Sequence, residues 1–309
     1  MNKQKIEMCD NRPTTIREAI AELIKSKRRI GCVQPTIEFY EVLYKVLPKF
    51  TSIDEPVTKI DSAFSDTYIL WLQSRGTANA TVITYVRMFR AFVYFLMDKE
   101  WINCFKVSLP RKTQTMKQIY TDDELRKLLK SPKKKCSFVE YRDWTFINYI
   151  FGTGQRLSTA MAIQNGDIDC DNGLVYLRHM KNRKQTILPL TDSLVGLLED
   201  YKSIRKGLDT DQLFCNQHGG FLKPTSMRTS IKRYNKSRGV KKTSIHLLRH
   251  TFAVHWVRQN GDIAKLQRIL CHSDLRVTQQ YLDLSYEDLR VDMTKMNPLE
   301  KLRPRKLQL

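Results

Sequence analysis

The chain has 309 residues, of which 53 are Lys or Arg and 32 are Asp or Glu, a formal net charge of +21 at pH 7. That length suits about two domains, each able to bury a core, and 41% hydrophobic with 28% charged residues is the composition of a soluble globular protein. The basic residues run through both halves and do not crowd beside an apolar segment, so the charge favours nucleic acid over a membrane surface. Seven isolated cysteines without CxxC spacing imply neither a zinc site nor a disulfide framework, and they suit a reducing cytoplasm. The start, Met1 to Glu7, lacks the apolar stretch of a signal peptide. Arg87, Arg90 and Asp98 break up the longest apolar stretch, so no membrane span is expected.

Residues 14 to 100 carry helical periodicity alone. Thr15 and Glu18 are spaced as a capping box ahead of the stripe Ile16, Ile20, Leu23 and Ile24. A second helix is expected from Pro35, which suits a first helical turn, to Pro48. The third covers Ser62 to Arg75, with Phe64, Tyr68, Trp71 and Leu72 inward and Gly76 as its stop. The fourth runs from Asn79 to Asp98, with Val82, Val86, Phe89, Val93 and Leu96 on one face. Four such helices joined by short loops make a small bundle. Lys106 to Gln118 has no periodicity and several cations, and reads as an extended basic linker.

Beyond it, Thr121 and Glu124 form a second capping box, and a helix is expected over Phe138 to Phe151. Asp171-Asn172-Gly173 signals a turn, Leu174 to Leu177 and Thr186 to Leu188 read as short strands, and Met180 to Lys184 as the basic hairpin between them. Helices are then expected at Thr191 to Lys202, Thr225 to Ser237, Ile245 to Asn260 closed by Gly261, Asp262 to Leu270, Asp274 to Leu282, and Ser285 to Met296. The whole is mainly α with a small β-hairpin sheet.

Four segments carry chemistry. Thr153-Gly154-Gln155-Arg156 is a Gly-containing turn where backbone can approach a phosphate. His246-Leu247-Leu248-Arg249-His250-Thr251 places His246 and Arg249 on one helical face, with the two leucines free to point to the core. Cys271-His272 follows, and Tyr281 stands nine residues after His272. Two guanidiniums can grip phosphate oxygens bidentately, imidazoles can donate hydrogen bonds or shuttle a proton, and Tyr can be a covalent nucleophile. No carboxylate cluster suits Mg²⁺, and no cofactor is called for.

In order and spacing these segments resemble the tyrosine recombinases of the phage integrase family, over roughly residues 14 to 290. The resemblance implies a residue 1–13 tail, a helical core-binding (SAM-like) domain at 14–104, a linker at 105–119, a mixed α/β catalytic domain at 120–290, and a helix end with basic tail at 291–309. It implies catalytic roles for Arg156, Lys181, His246, Arg249, His272 and Tyr281. The two arginines would clamp the phosphate, and His246 and His272 would donate hydrogen bonds to it or assist proton transfer. Lys181, in the hairpin, would protonate the leaving 5′-oxygen, with Lys184 as the alternative and Arg183 as a backbone contact. Tyr281 would attack DNA to give a 3′-phosphotyrosyl link, and Tyr286 lies too far along for the motif.

The implied partners are double-stranded recombination sites, three further copies of the chain in a tetramer passing through a Holliday junction, and accessory proteins. With core-binding helices starting near residue 14, an arm-binding domain is not expected, which suits a simple integrase, resolvase or invertase of a mobile element. Two positions depart from the family pattern: Thr159 where an acidic residue is usual, and Cys271 where Gly is favoured. The alternatives are a non-catalytic DNA-binding regulator derived from a recombinase and a Xer-type chromosome or plasmid resolvase. Topoisomerases with a nucleophilic tyrosine share the chemistry, but the two-domain pattern fits a recombinase better.

Overall fold

In the computed structural model, residues 13–111, 118–178, 185–205, 210–279 and 281 are described. The chain divides into two compact units, residues 1–116 and 117–309.

The first unit is helical. Helix α1 (Ile16–Arg29) opens on the expected capping box, in which the Thr15 hydroxyl accepts the Glu18 N–H and the Glu18 carboxylate accepts the Thr15 N–H. Its stripe, Ile16, Ala19, Ile20 and Leu23, is fully buried. The expected second helix is broken into α2 (Gln34–Glu41), α3 (Leu43–Val46) and a 3₁₀ turn at Leu47–Lys49. At the break, the Lys45 N–H donates to the Val42 carbonyl, a tighter bond than an α-turn uses. Helix α4 (Ser62–Ser74) is capped by the Asp61 carboxylate, and Gly76 follows in the left-handed region at φ +66°. Helix α5 (Asn79–Asp98) is long and apolar enough to cross a membrane, yet it is the core helix of this unit. Val86, Phe89, Phe92, Val93 and Leu96 are buried, and α5 packs on α1, α3 and α4. Tyr68 meets Phe89 at 4.6 Å between ring centroids, within a cluster that includes Phe50, Phe64 and Trp71. Where a linker was expected from residue 105, the chain stays on the first unit: Val107 is buried in its core, and the Arg111 carbonyl accepts the Asn79 amide.

The second unit is built around α7 (Phe138–Thr153), against which α6 (Asp122–Leu129), α9 (Asp192–Ile204), α10 (Pro224–Ser237) and α11 (Ile245–Arg258) all pack. Phe146, Ile147, Tyr149 and Ile150 fill the centre. Three short strands, β1 (Ile168–Asp169), β2 (Leu174–Leu177) and β3 (Thr186–Pro189), form an antiparallel sheet in that order, with Val175 opposite Leu188 and Leu177 opposite Thr186. Strand β1 and α8 (Leu157–Met161) have no counterpart in the sequence reading, being too short to show a period. Helices α12 (Ile263–Ile269) and α13 (Leu275–Gln279) complete the described unit. The expected closure of α11 by Gly261 is carried instead by Asn260, which takes the left-handed conformation at φ +59°. Gly261 makes room: a Cβ there would lie 2.3 Å from the Trp256 indole nitrogen.

Phe89→Ala would empty the centre of the first unit and is expected to cost it about 3–5 kcal/mol. Hydrogen exchange read by mass spectrometry should lose protection in α1, α4 and α5 while α7 and α11 keep theirs.

Candidate active site

The site starts at the end of α7. Gly154 caps that helix at φ +63°, its N–H donating to the Ile150 carbonyl at 2.8 Å. The position is closed to a side chain twice over, since a Cβ would also stand 2.6 Å from Phe252 and 2.8 Å from Leu270. Gln155, buried, donates its amide to the Ile269 carbonyl at 2.9 Å, tying this turn to the end of α12. Arg156 then emerges half-buried at the N-cap of α8.

Helix α11 is braced from outside the site. The Thr251 hydroxyl accepts the Tyr120 N–H at 3.0 Å, and the Tyr120 phenol donates to the Ser244 carbonyl at 3.2 Å. Lys242, just ahead of the helix, binds Glu124 at 2.7 Å. His246 lies exposed in the first turn, and Arg249, one turn on, is buried at 1% exposure. Its guanidinium donates to the Gly154 carbonyl (2.7 Å), the Leu270 carbonyl (2.9 Å) and the His272 Nε2 (2.7 Å). Gly154 and Leu270 are the C-caps of α7 and α12, so the cation sits at the negative ends of two helices. Among the described residues no carboxylate pairs with it. Burial, and then the nearby Arg156 charge, lower its pKa to about 10.

After α12 the chain turns sharply through Cys271, a non-glycine residue at φ +53°. The turn is held by Cys271 N–H to the Arg268 carbonyl and His272 N–H to the Gln267 carbonyl, both at 3.0 Å. The His272 ring lies between Arg249 and the Thr278 hydroxyl, which is 2.8 Å from Nδ1. Burial, then the charges of Arg249 and Arg156, push its pKa down to about 4. Tyr281, 5% exposed, lies parallel to His272 with ring centroids 6.4 Å apart and meets the His250 ring at 4.9 Å. Burial raises its pKa, while the charges of Arg249 and Arg156 work in the opposite direction.

Arg156, His246 and Arg249 line one cavity of about 500 Å³. Arg228 and Lys232, one turn apart on α10, add two cations to its wall. Pro224, at the start of α10, and Ser244, Ile245 and His246, at the start of α11, also line it. The first residues of two helices therefore border it, and a helix start carries the positive end of the helix dipole. A cavity with this much fixed positive charge, and with no carboxylate among the described residues that line it, suits a phosphate.

The sequence profile of the Phage integrase family matches residues 118–288, and that of the Phage integrase SAM-like domain matches residues 15–113. The chain belongs to the phage integrase family. As a tyrosine recombinase it is similar to XerD of Staphylococcus saprophyticus, 26% identical over 282 residues, 88% of this chain and 93% of that one. It is also similar to XerC of Thermodesulfovibrio yellowstonii, 28% identical over 239 residues, 74% of this chain and 79% of the relative. In fold it matches the Tn1549 transposon integrase, solved with a circular intermediate DNA, at a TM-score of 0.74 and 20% identity, over 92% of this chain and 100% of that chain. A lambda integrase dimer bound to a COC′ core site matches at 0.70 and 16% identity, over 95% of this chain and 98% of the other.

Of the site residues expected for this recombinase, Arg156, His246 and Arg249 share the cavity, and His272 and Tyr281 adjoin it through Arg249. Lys181, its alternative Lys184 and the decoy Tyr286 lie outside the described residues. Thr159 is buried in α8, and Cys271 is 9% exposed with its thiol pKa raised by burial, as suits an inert packed side chain. Thr278 and the contact of His250 with Tyr281 were not found from sequence, because both depend on how the turn after α12 folds back.

His272 is held neutral in the fold while an unfolded histidine titrates near 6.5. The unfolded state therefore binds more protons between pH 6.5 and 4, and stability must fall as pH drops through that window. Urea titrations of the parent and His272→Gln at pH 7 and pH 4.5 should show a smaller loss in the variant.

Proposed function

We propose that Tyr281 is the nucleophile of a site-specific recombination reaction carried out on double-stranded DNA. The observation that carries this reading is the buried guanidinium of Arg249, without a carboxylate partner among the described residues, in a cavity shared with Arg156 and His246 and adjoining Tyr281. Arg156 and Arg249 would hold the non-bridging oxygens of the scissile phosphate and stabilise the added charge of the pentacoordinate transition state. His246 would donate a hydrogen bond from the exposed edge, and His272 would serve proton transfer at Tyr281. The Tyr281 oxygen forms a bond to phosphorus as the bond to the 5′-oxygen breaks. The phenolic proton passes to the site, and Lys181 supplies one to the leaving oxygen. The 5′-hydroxyl of a partner strand then reverses the step, so bond energy is kept and no ATP is needed.

The cycle we infer uses four copies on two DNA sites and passes through a Holliday junction. The cellular setting we favour is a mobile element, acting on DNA in the cytoplasm, with accessory proteins as further partners. Likeness in fold to a transposon integrase supports that setting, while the Xer relatives leave a resolvase as the second reading. A non-catalytic regulator is disfavoured because Arg156, His246 and Arg249 share one cavity and His272 and Tyr281 adjoin it, which supports a working site.

Nicked duplexes drawn from DNA flanking the gene, incubated in EDTA and run on a denaturing gel, test the chemistry. The parent should give a covalent protein–DNA band and Tyr281→Phe none, with both still binding the duplex. Arg156→Ala and Arg249→Ala should each slow adduct formation by about a hundredfold or more. Equal binding with no adduct from the parent would turn the reading toward the regulator.

A further inference from the structure

The contacts of His272 fix more than its place. A guanidinium has donors only, so the His272 Nε2 that meets Arg249 at 2.7 Å must be the acceptor and carries no proton. The neutral ring then has its proton on Nδ1, where the acceptor is the Thr278 hydroxyl at 2.8 Å. Thr278 is completely buried, and its carbonyl also accepts the Tyr281 N–H at 3.0 Å. One residue thus holds the imidazole by its side chain and the tyrosine by its backbone.

We propose that Thr278 is a positioning residue: by accepting the Nδ1–H it holds the His272 ring with Nε2 toward Arg249, whose donors keep the proton on Nδ1, so that this histidine enters the reaction as a proton acceptor at Nε2 and not as a donor to the phosphate. The inference rests on the reading of Tyr281 as nucleophile. With the ring turned, Nδ1–H would face the guanidinium of Arg249, and with the other tautomer Nε2–H would, in either case two donors facing each other. In the orientation observed, arrival of a phosphate gives Arg249 a better acceptor and leaves the Nε2 lone pair to the phenol. The proton of Tyr281 moves to Nε2, the oxygen–phosphorus bond forms, and the bond to the 5′-oxygen breaks as that oxygen takes its proton from Lys181. The imidazolium formed lies beside a phosphate whose charge has grown, and it returns the proton to the tyrosine when the link is resealed. His246, exposed in the first turn of α11, keeps the donor role.

The test combines a structural and a kinetic readout on the full chain. Long-range nitrogen–proton spectra of histidine-labelled protein report which ring nitrogen is protonated, and the six histidines leave His272 assignable by comparison with His272→Gln. The parent and Thr278→Ser should show the proton on Nδ1, and Thr278→Val should lose that preference while keeping the parent's thermal midpoint. On the nicked flanking duplexes, Thr278→Val should form adduct on the order of tenfold more slowly, with Thr278→Ser restoring the rate. A proton on Nε2 in the free parent would overturn the proposal, as would a Val variant that matches the parent in rate. A parent that forms no adduct would instead sink the nucleophile reading, and the spectra would still decide the tautomer.

Discussion

The site depends on one buried cation. Arg249 gives up water without gaining a carboxylate among the described residues, a cost of several kcal/mol if nothing replaced the lost hydration. Its replacements include two backbone carbonyls, one imidazole nitrogen and the phenol of Tyr281. The carbonyls belong to the C-caps of α7 and α12, where helix dipoles concentrate negative potential. Compensation of this kind holds the side chain still but leaves its charge unneutralised, so the cavity keeps a standing demand for an anion. A carboxylate in the same place would have stabilised the empty protein and weakened its hold on a phosphate.

The surrounding backbone follows from that arrangement. For the Gly154 carbonyl to face Arg249, the chain must leave α7 in the left-handed region, where Phe252 and Leu270 forbid a Cβ. For Leu270 to do the same, the next residue must also turn left-handed, and there the chain carries Cys271. A side chain at positive φ costs on the order of 1 kcal/mol, and the paired hydrogen bonds from Cys271 and His272 to the end of α12 hold the turn against it. The departure at Cys271 thus changes the strain of the turn and leaves its direction intact. Both turns then place side chains around Arg249, Arg156 at the cavity from the first and the buried His272 from the second.

Much of this was legible in the sequence because it is local. The capping boxes at Thr15 and Thr121, the stripe of α5, and the shared face of His246 and Arg249 need only helical spacing. The strands at Leu174 and Thr186 were found from their turn signal and apolar runs. What was not legible is set by contacts distant in the chain. The carbonyl acceptors of Arg249 lie 95 and 21 residues away, and Tyr120 braces α11 from more than 120 residues upstream. The split between α2 and α3, and the two-residue β1, leave too few residues for any period to show. Thr278 looked like one more polar residue on a short helix until the turn at Cys271 brought it under the imidazole.

The N-termini of α10 and α11 that line the cavity have one property its arginines lack: they are made of peptide bonds. A point mutation can remove Arg156 or Tyr281, but it cannot delete the positive end of a helix dipole without dismantling the helix that bears it. Lineages of this fold that lose the chemistry through drift should therefore lose it long before they lose their grip on a phosphate backbone. Inactive descendants would inherit a ready-made DNA clamp, and occupying a site to block its use by an active copy is the simplest new role open to them.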